Sequence, residues 1–350
     1  MNKFYNVKSL IIALLLMFSA NSLYSENYWG IIQNFPSQEA KVMRINSADV
    51  IFCGFWGTGV KKSVDNGLTF SDVSSGLTNL FVSCMEIAPN GYIYVGTYGG
   101  GVFRTTNTGT NWTSVNNGLT NSYIKSITIA KNGDVWVGTF GSGVFLSENA
   151  GNLWSHRSNG LFYRDITAIT TFTDSTILAG TSNAGVFKSS NKGASWYHSS
   201  PGIDTATITC FFRDHLDQVY VGTQGSGVYM SINGGADWIS YHRPNSPKNI
   251  TCMAEYKLES IMVGTNEFGT WRYDLTEEKW KSPWQFYDGI NDIQKNSTGQ
   301  FFALTPYFGL MKNADILAYD WRITSLTNMT GVKILAFWDD ILYARNGSAG

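Results

Sequence analysis

Ser63-Val64-Asp65-Asn66-Gly67-Leu68-Thr69-Phe70 returns 42 residues later as Thr105-Thr106-Asn107-Thr108-Gly109-Thr110-Asn111-Trp112. Further copies stand at Ser147 to Trp154, Ser189 to Trp196 and Ser231 to Trp238, so a glycine recurs at Gly67, Gly109, Gly151, Gly193 and Gly235. In each copy an acceptor side chain (Asp65, Asn107, Asn149, Asn191, Asn233) precedes the glycine, and a ring (Phe70, Trp112, Trp154, Trp196, Trp238) follows it. The acceptor can take backbone N–H bonds in a turn, and the glycine enters a conformation closed to residues with a Cβ. The ring is then free to be buried. Trp280 lies 42 residues after Trp238 and Trp321 lies 41 further on, so the period outlasts the turn chemistry.

One period holds four strand-like segments, clearest in the third repeat. Ser126 to Ala130 is the first, Asp134 to Thr139 the second and Gly143 to Ser147 the third. The fourth starts near Leu153-Trp154 and runs out at Ser158 to Leu161. A lone four-stranded sheet cannot bury both faces and has to stack on copies of itself, so this period predicts the blades of an all-β propeller.

The box resembles the Asp-box, or BNR repeat, of sialidases, sortilin-type receptors and many propellers without enzymatic activity. The resemblance implies a structural hairpin between third and fourth strands, remote from any central pocket. The other half of the period, Gly118-Leu119 through Val137-Gly138-Thr139, resembles the two-component-regulator propeller repeat of bacterial periplasmic sensors. Related versions run from Gly76-Leu77 to Gly96-Thr97 and from Gly202-Ile203 to Gly222-Thr223. This second resemblance implies ligand binding, often of glycans, through the propeller.

Repeats begin near residues 42, 84, 126, 168, 210, 252 and 293, and an unfinished one begins at Ile334. Tyr28-Trp29-Gly30-Ile31-Ile32-Gln33 has the pattern of a fourth strand that could complete a C-terminal blade and remove its open edge. The simplest count is seven complete repeats plus a shared eighth, with seven blades and an altered ending as the alternative. The halt in mid-repeat gives the expectation of a chain truncated at its C-terminus.

Lys3 and Lys8 followed by the apolar run Leu10 to Phe18 and small residues at Ala20 and Ser22 have the form of a secretory signal peptide over residues 1–22. Residues 23–41 then hold the closing strand and 42–350 the propeller. Nothing later approaches the length of a membrane span. A secreted, periplasmic or cell-surface protein is expected. Its 25 basic and 26 acidic residues lack the positive field that nucleic acid requires. Cys84, Cys210 and Cys252 share one phase of the repeat, which blade spacing keeps apart, so they and Cys53 are expected as free thiols.

Loops after the second strand share one face with the linkers between blades, and propellers usually bind there. That loop position carries Trp56, Tyr98, Phe140, Ser182, Gln224, Asn266 and, approximately, Tyr307. Aromatic faces beside amides suit sugar rings; the alternative reading is that the same rings merely close the channel mouth. The candidate site is therefore Trp56, Tyr98, Phe140, Gln224, Asn266, Glu267 and Tyr307, with a glycan or a protein as partner. The linkers add Phe162-Tyr163-Arg164-Asp165, Arg243-Pro244-Asn245 and Trp284 to Asp288, with Arg164 and Asp165 as a solvated pair.

A sialidase needs an arginine cluster, a Tyr nucleophile backed by Glu and an Asp acid, and no such set stands at related phases. Glu267 and Asp288 are the carboxylate candidates on this face for a glycosidase of sialidase or xyloglucanase type, and nothing in their spacing pairs them. His156 and His198 share an outer-strand phase, which does not converge on a metal. No catalytic residue, metal or cofactor is implied. A binding protein is the leading expectation, with the glycosidase and the extracellular part of a two-component sensor as alternatives.

Overall fold

A computed structural model describes residues 28–32, 34–172, 175–257, 260–274, 277–281, 288–314, 332–338 and 341–346, and side chains within 31–256, 260–313. Residues 1–22, where a signal peptide is expected, Trp321 and residues 282–287 of the last inter-blade linker lie outside these residues.

Seven four-stranded sheets form the unit spanning 26–313. Blade 3 is typical: Ile124–Ile129, Val135–Thr139, Gly143–Ser147 and Ser155–His156 pair antiparallel in sequence order. Blades 1, 2, 4, 5 and 6 repeat this meander over 40–72, 82–114, 166–198, 207–240 and 250–281. Second strands such as Ile93–Thr97 are buried along their whole length because a sheet covers each face. Fourth strands shrink to exposed pairs such as Thr113–Ser114.

The glycine of each Gly-Thr pair explains how blades stack. A Cβ on Gly54, Gly96, Gly138, Gly180, Gly222 or Gly264 would lie within about 3 Å of Val82, Ile124, Ile166, Ile208, Ile250 or Ile290, the β-branched residue that opens the next blade. The bare backbone is the socket and the neighbour's side chain fills it.

Ring closure corrects the simplest sequence count. Tyr28–Ile31 is the outer strand of blade 7, beside Gly309–Ala314, Phe301–Thr305 and Asp292–Lys295. It does not complete the repeat that begins at Ile334. Ile32 continues the pairing through its N–H on the Leu310 carbonyl at 2.9 Å. At this seam the socket logic is inverted: Leu304 stands at the glycine position of blade 7 and Ala40 at the β-branched position of blade 1, both buried in one cluster. Asn291 Nδ2 donates to the Ala40 carbonyl at 2.7 Å, as Ser83 Oγ does to Ile124 at 2.6 Å. Seven blades therefore close the ring. Val332–Trp338 and Ile341–Asn346 form a separate two-stranded hairpin.

The box folds as one turn five times. Gly67 N–H donates to Ser63 Oγ at 2.9 Å and Thr69 N–H to Asp65 Oδ1 at 2.9 Å, and the other four boxes repeat both bonds. The box glycines take φ between 71° and 88°, as the turn requires. Trp112, Trp154, Trp196 and Trp238 each donate Nε1–H to a carbonyl of the preceding blade. Trp280 makes the same bond, to Tyr241 at 2.9 Å, after the box around it has gone.

Candidate ligand-binding face

In an antiparallel meander the loop between second and third strands shares an end of the blade with the linker to the next blade. Hydrogen bonds join the two. Gly57 and Gly59 both donate to the Leu80 carbonyl at 3.0 Å, and Gly99 and Gly101 to Ser122 at 3.1 and 2.9 Å. Gly143 and Gly185 each make a single such bond, to Arg164 and Ala206, and Gly225 with Gly227 grips Lys248. This clamp fixes the residue just before the first glycine. Inside the blade, Thr97 Oγ1 bonds the Gly101 carbonyl at 2.8 Å, with the same bond at Thr139, Thr181, Thr223 and Thr265.

Trp56, Tyr98 and Phe140 stand at that clamped position, 37%, 46% and 51% exposed. The linkers add Phe81 and Tyr123, also exposed, which a reading confined to the second-to-third-strand loops passes over. Phe81 packs edge-on to Trp56 with ring centroids 5.4 Å apart, Trp56 lies 5.4 Å from Tyr98, and Tyr98 lies 4.8 Å from Tyr123. The result is one continuous ladder of rings across blades 1 to 3. The backbone pins it, with Tyr98 N–H on Phe81 O at 2.9 Å and Phe140 N–H on Tyr123 O at 3.0 Å.

Charge pairs flank both ends. Lys41 lies over the Trp56 ring at 5.8 Å and is paired with Glu39. Lys125 lies 4.7 Å over Phe140 and bridges to Asp165 at 2.8 Å. Asp165 is thus the partner of Lys125, which corrects the expected pairing with Arg164.

The other half of the face is polar. Gln224, Asn266 and Glu267 are exposed. Asn266 N–H rests on the Asn249 carbonyl at 3.2 Å. Tyr307 is 86% exposed but stands one place beyond the equivalent of Trp56, which is Pro306: Phe308 N–H on Thr305 Oγ1 matches Phe268 N–H on Thr265 Oγ1. Asp288 is buried, and its carboxylate accepts from Gly289 N at 2.8 Å, Tyr307 N at 3.2 Å and Phe308 N at 3.3 Å. It ties the blade 7 loop down.

His156 and His198 serve the fold: each packs on a third-strand Phe, Phe145 or Phe187, and contacts a loop carbonyl, Ser142 or Ala184, at 3.0 Å. The four thiols are free, and burial pushes Cys84 and Cys210 up to about 12. The last two line a cavity of about 900 Å³ along the inner strands. Its charged centre is Arg44, bonded to Glu86 at 3.2 Å and Asp292 at 3.0 Å.

The two-component-regulator propeller family model matches residues 118–141, the stretch that includes Tyr123 and Phe140. Among curated proteins, none matches the chain in sequence. Solved structures share the fold. The extracellular domain of a one-component-system protein from B. thetaiotaomicron superposes with a TM-score of 0.67 at 15% identity, over 84% of this chain and 40% of that one. The GH74 xyloglucanase from Xanthomonas campestris gives 0.62 at 10% identity, over 82% of this chain and 53% of that one. YCF48 bound to D1 peptide gives 0.65 at 12%, over 84% of this chain and 97% of that one. The chain thus spans under half the length of the extracellular domain it is similar to.

Proposed function

We propose that this chain is an exported, non-catalytic propeller that binds a glycan on the face carrying the aromatic ladder. The carrying observation is the unbroken series Phe81, Trp56, Tyr98, Tyr123, since exposed rings kept in contact by clamped loops form a platform at little cost in side-chain entropy. Sugar rings present apolar C–H faces to such a platform, and Gln224 and Asn266 can bond their hydroxyls. The basic N-terminal flank with its apolar run supports export, as does the likeness to extracellular domains. Consumption of the Asp288 carboxylate by three backbone amides supports binding over hydrolysis.

A glycan array probed with the purified chain, followed by product analysis on each hit, tests the reading. Retention of specific glycans without cleavage, lost in Trp56→Ala with Tyr98→Ala, is the expected result. Hydrolysis that disappears in Glu267→Gln would establish the glycosidase instead. Retention of peptides and of no glycan would assign the face to a protein ligand.

A further inference from the structure

The repeat itself identifies a place where two side chains exceed what folding asks of them. At the residue after the fourth strand the repeats read Val73, Val115, Arg157, Ser199 and Tyr241. Val73 and Val115 fill the space beside the next box glycine: a Cβ on Gly109 or Gly151 would lie 3.1 Å from them. Arg157 does the same with its own Cβ, 2.8 Å from a Cβ built on Gly193. Its backbone carbonyl accepts Trp196 Nε1–H at 2.7 Å, as Val73 and Val115 accept Trp112 and Trp154. The packing task is finished at the first carbon of the side chain. The guanidinium is surplus to it.

A second departure stands seven residues on, where the clamped linker position reads Leu80, Ser122, Arg164, Ala206 and Lys248. Arg164 is exposed, and no hydrogen bond or ion pair engages its guanidinium among the described residues. Both arginines line one cleft of about 380 Å³ between blades 3 and 4, with His156, Ser158, Asn159, Gly193 and Ala194. No carboxylate lines it among the described residues. Arg157 Nε is buried without a hydrogen-bond partner among the described residues, and its nearest acid, Glu148, lies 4.0 Å from Nη2 and is held by Lys192 at 3.2 Å. The Asn159 side chain turns to the Ala194 carbonyl at 3.4 Å, which leaves the arginines as the charged donors of the cleft.

We propose that this cleft binds a compact oxyanion, the carboxylate of an acidic sugar or a sulfate group, between Arg157 and Arg164. Guanidinium groups match such anions with paired N–H donors, and a partly buried setting weakens the competition from water. The site is independent of the aromatic ladder.

The full chain is titrated calorimetrically with sodium glucuronate, sodium sulfate and glucose. Saturable binding of glucuronate, sulfate or both, with none of glucose, is expected, and whichever anion binds identifies the source as a carboxylated or a sulfated group. Arg157→Val restores the residue of blades 1 and 2, so that variant folds while losing the anion. Arg164→Gln, at an exposed position, weakens binding about tenfold, as expected for one charge-assisted hydrogen bond. Lys131→Gln removes the same charge from an exposed turn and leaves affinity unchanged. The proposal is overturned by absence of saturable binding to either anion, by equal affinity in Arg157→Val and Arg164→Gln, or by an equal loss in Lys131→Gln.

Discussion

Trp56 and Tyr98 occupy the same position of adjacent repeats, and their ring centroids lie 5.4 Å apart at an angle of 49°. Sequence periodicity has thus become physical contact at the mouth of the ring. Trp56 is also half in water, so its fluorescence reports on whatever covers the ladder. A bound glycan is expected to shift that emission to the blue. Trp56→Phe keeps an aromatic face and should retain binding within a few fold while losing the spectral change. Ligand binding with no change in wild-type emission would place the ligand elsewhere.

Blade stacking makes a steric prediction. A Cβ on Gly180 would have three atoms of Ile208 as its nearest neighbours, at 2.4, 2.6 and 3.3 Å. The backbone there is not left-handed, so Gly180→Ala costs through overpacking alone, about 1–3 kcal/mol. Ile208→Ala alone leaves a cavity and costs roughly 2–5 kcal/mol. Combined, the two should cost clearly less than their sum, because the new methyl enters the space that the isoleucine vacates. Urea unfolding of the four proteins reads the coupling, and strict additivity would show that the socket does not exist.

That inverted pair, Leu304 with Ala40, also shows what a reader of the sequence could and could not see. The 42-residue period and the box are local, each a turn whose acceptor, glycine and ring lie within eight residues, so fold class is legible at once. Blade count depends on which two ends of the chain meet. In blades 6 and 7 the box chemistry has decayed, and the closing strand lies more than 270 residues away from its partner Gly309–Ala314. The seam was nevertheless written in two residues, a leucine where six repeats have glycine and an alanine where the others have valine or isoleucine. Phe81 and Tyr123 were missed for a related reason: the same linker phase reads Asp165, Thr207 and Asn249 elsewhere, and only contact with Trp56 and Tyr98 makes them part of a surface.

Acid should act on the first box and spare the second. Asp65 accepts bonds from Thr69 Oγ1, Thr69 N–H and Ser63 Oγ, which hold its carboxyl down at about 2 against an ordinary 3.8. A carboxylate whose folded value lies below its unfolded value stabilises the fold above the ordinary value. That contribution is lost as pH falls through the window between 3.8 and about 2. Blades 2 to 5 carry Asn at this position, which does not titrate. Amide protection, taken relative to the intrinsic exchange rate at each pH, is therefore expected to fall between pH 4 and 2 at Gly67 and Thr69 and to stay level at Gly109 and Asn111. Asp65→Asn should flatten the difference. Equal loss of protection in both boxes would show that a global charge effect, and not the Asp65 carboxylate, governs the response.

The charged centre of the inner strands lies at the seam. Arg44 of blade 1 bonds Glu86 of blade 2 and Asp292 of blade 7, and Asp292 also accepts Met43 N–H at 2.9 Å. Burial raises the Asp292 carboxyl above its ordinary value while Arg44 pulls it back. Arg44→Met leaves that carboxylate in a poorly hydrated place without its cation, so its pKa climbs further and the fold weakens by about 2 kcal/mol. This is less than the roughly 3–5 kcal/mol of a fully buried pair, because water still reaches part of the arginine. Adding Asp292→Asn removes the stranded charge and keeps an acceptor for Met43, so the double variant should be more stable than Arg44→Met alone at neutral pH. The gap between them should narrow as the pH falls and Asp292 in the single variant takes up a proton. Denaturant midpoints at pH 7 and 5 measure both effects, and a double variant less stable than the single at pH 7 would mean that Asp292 holds the seam without help from Arg44.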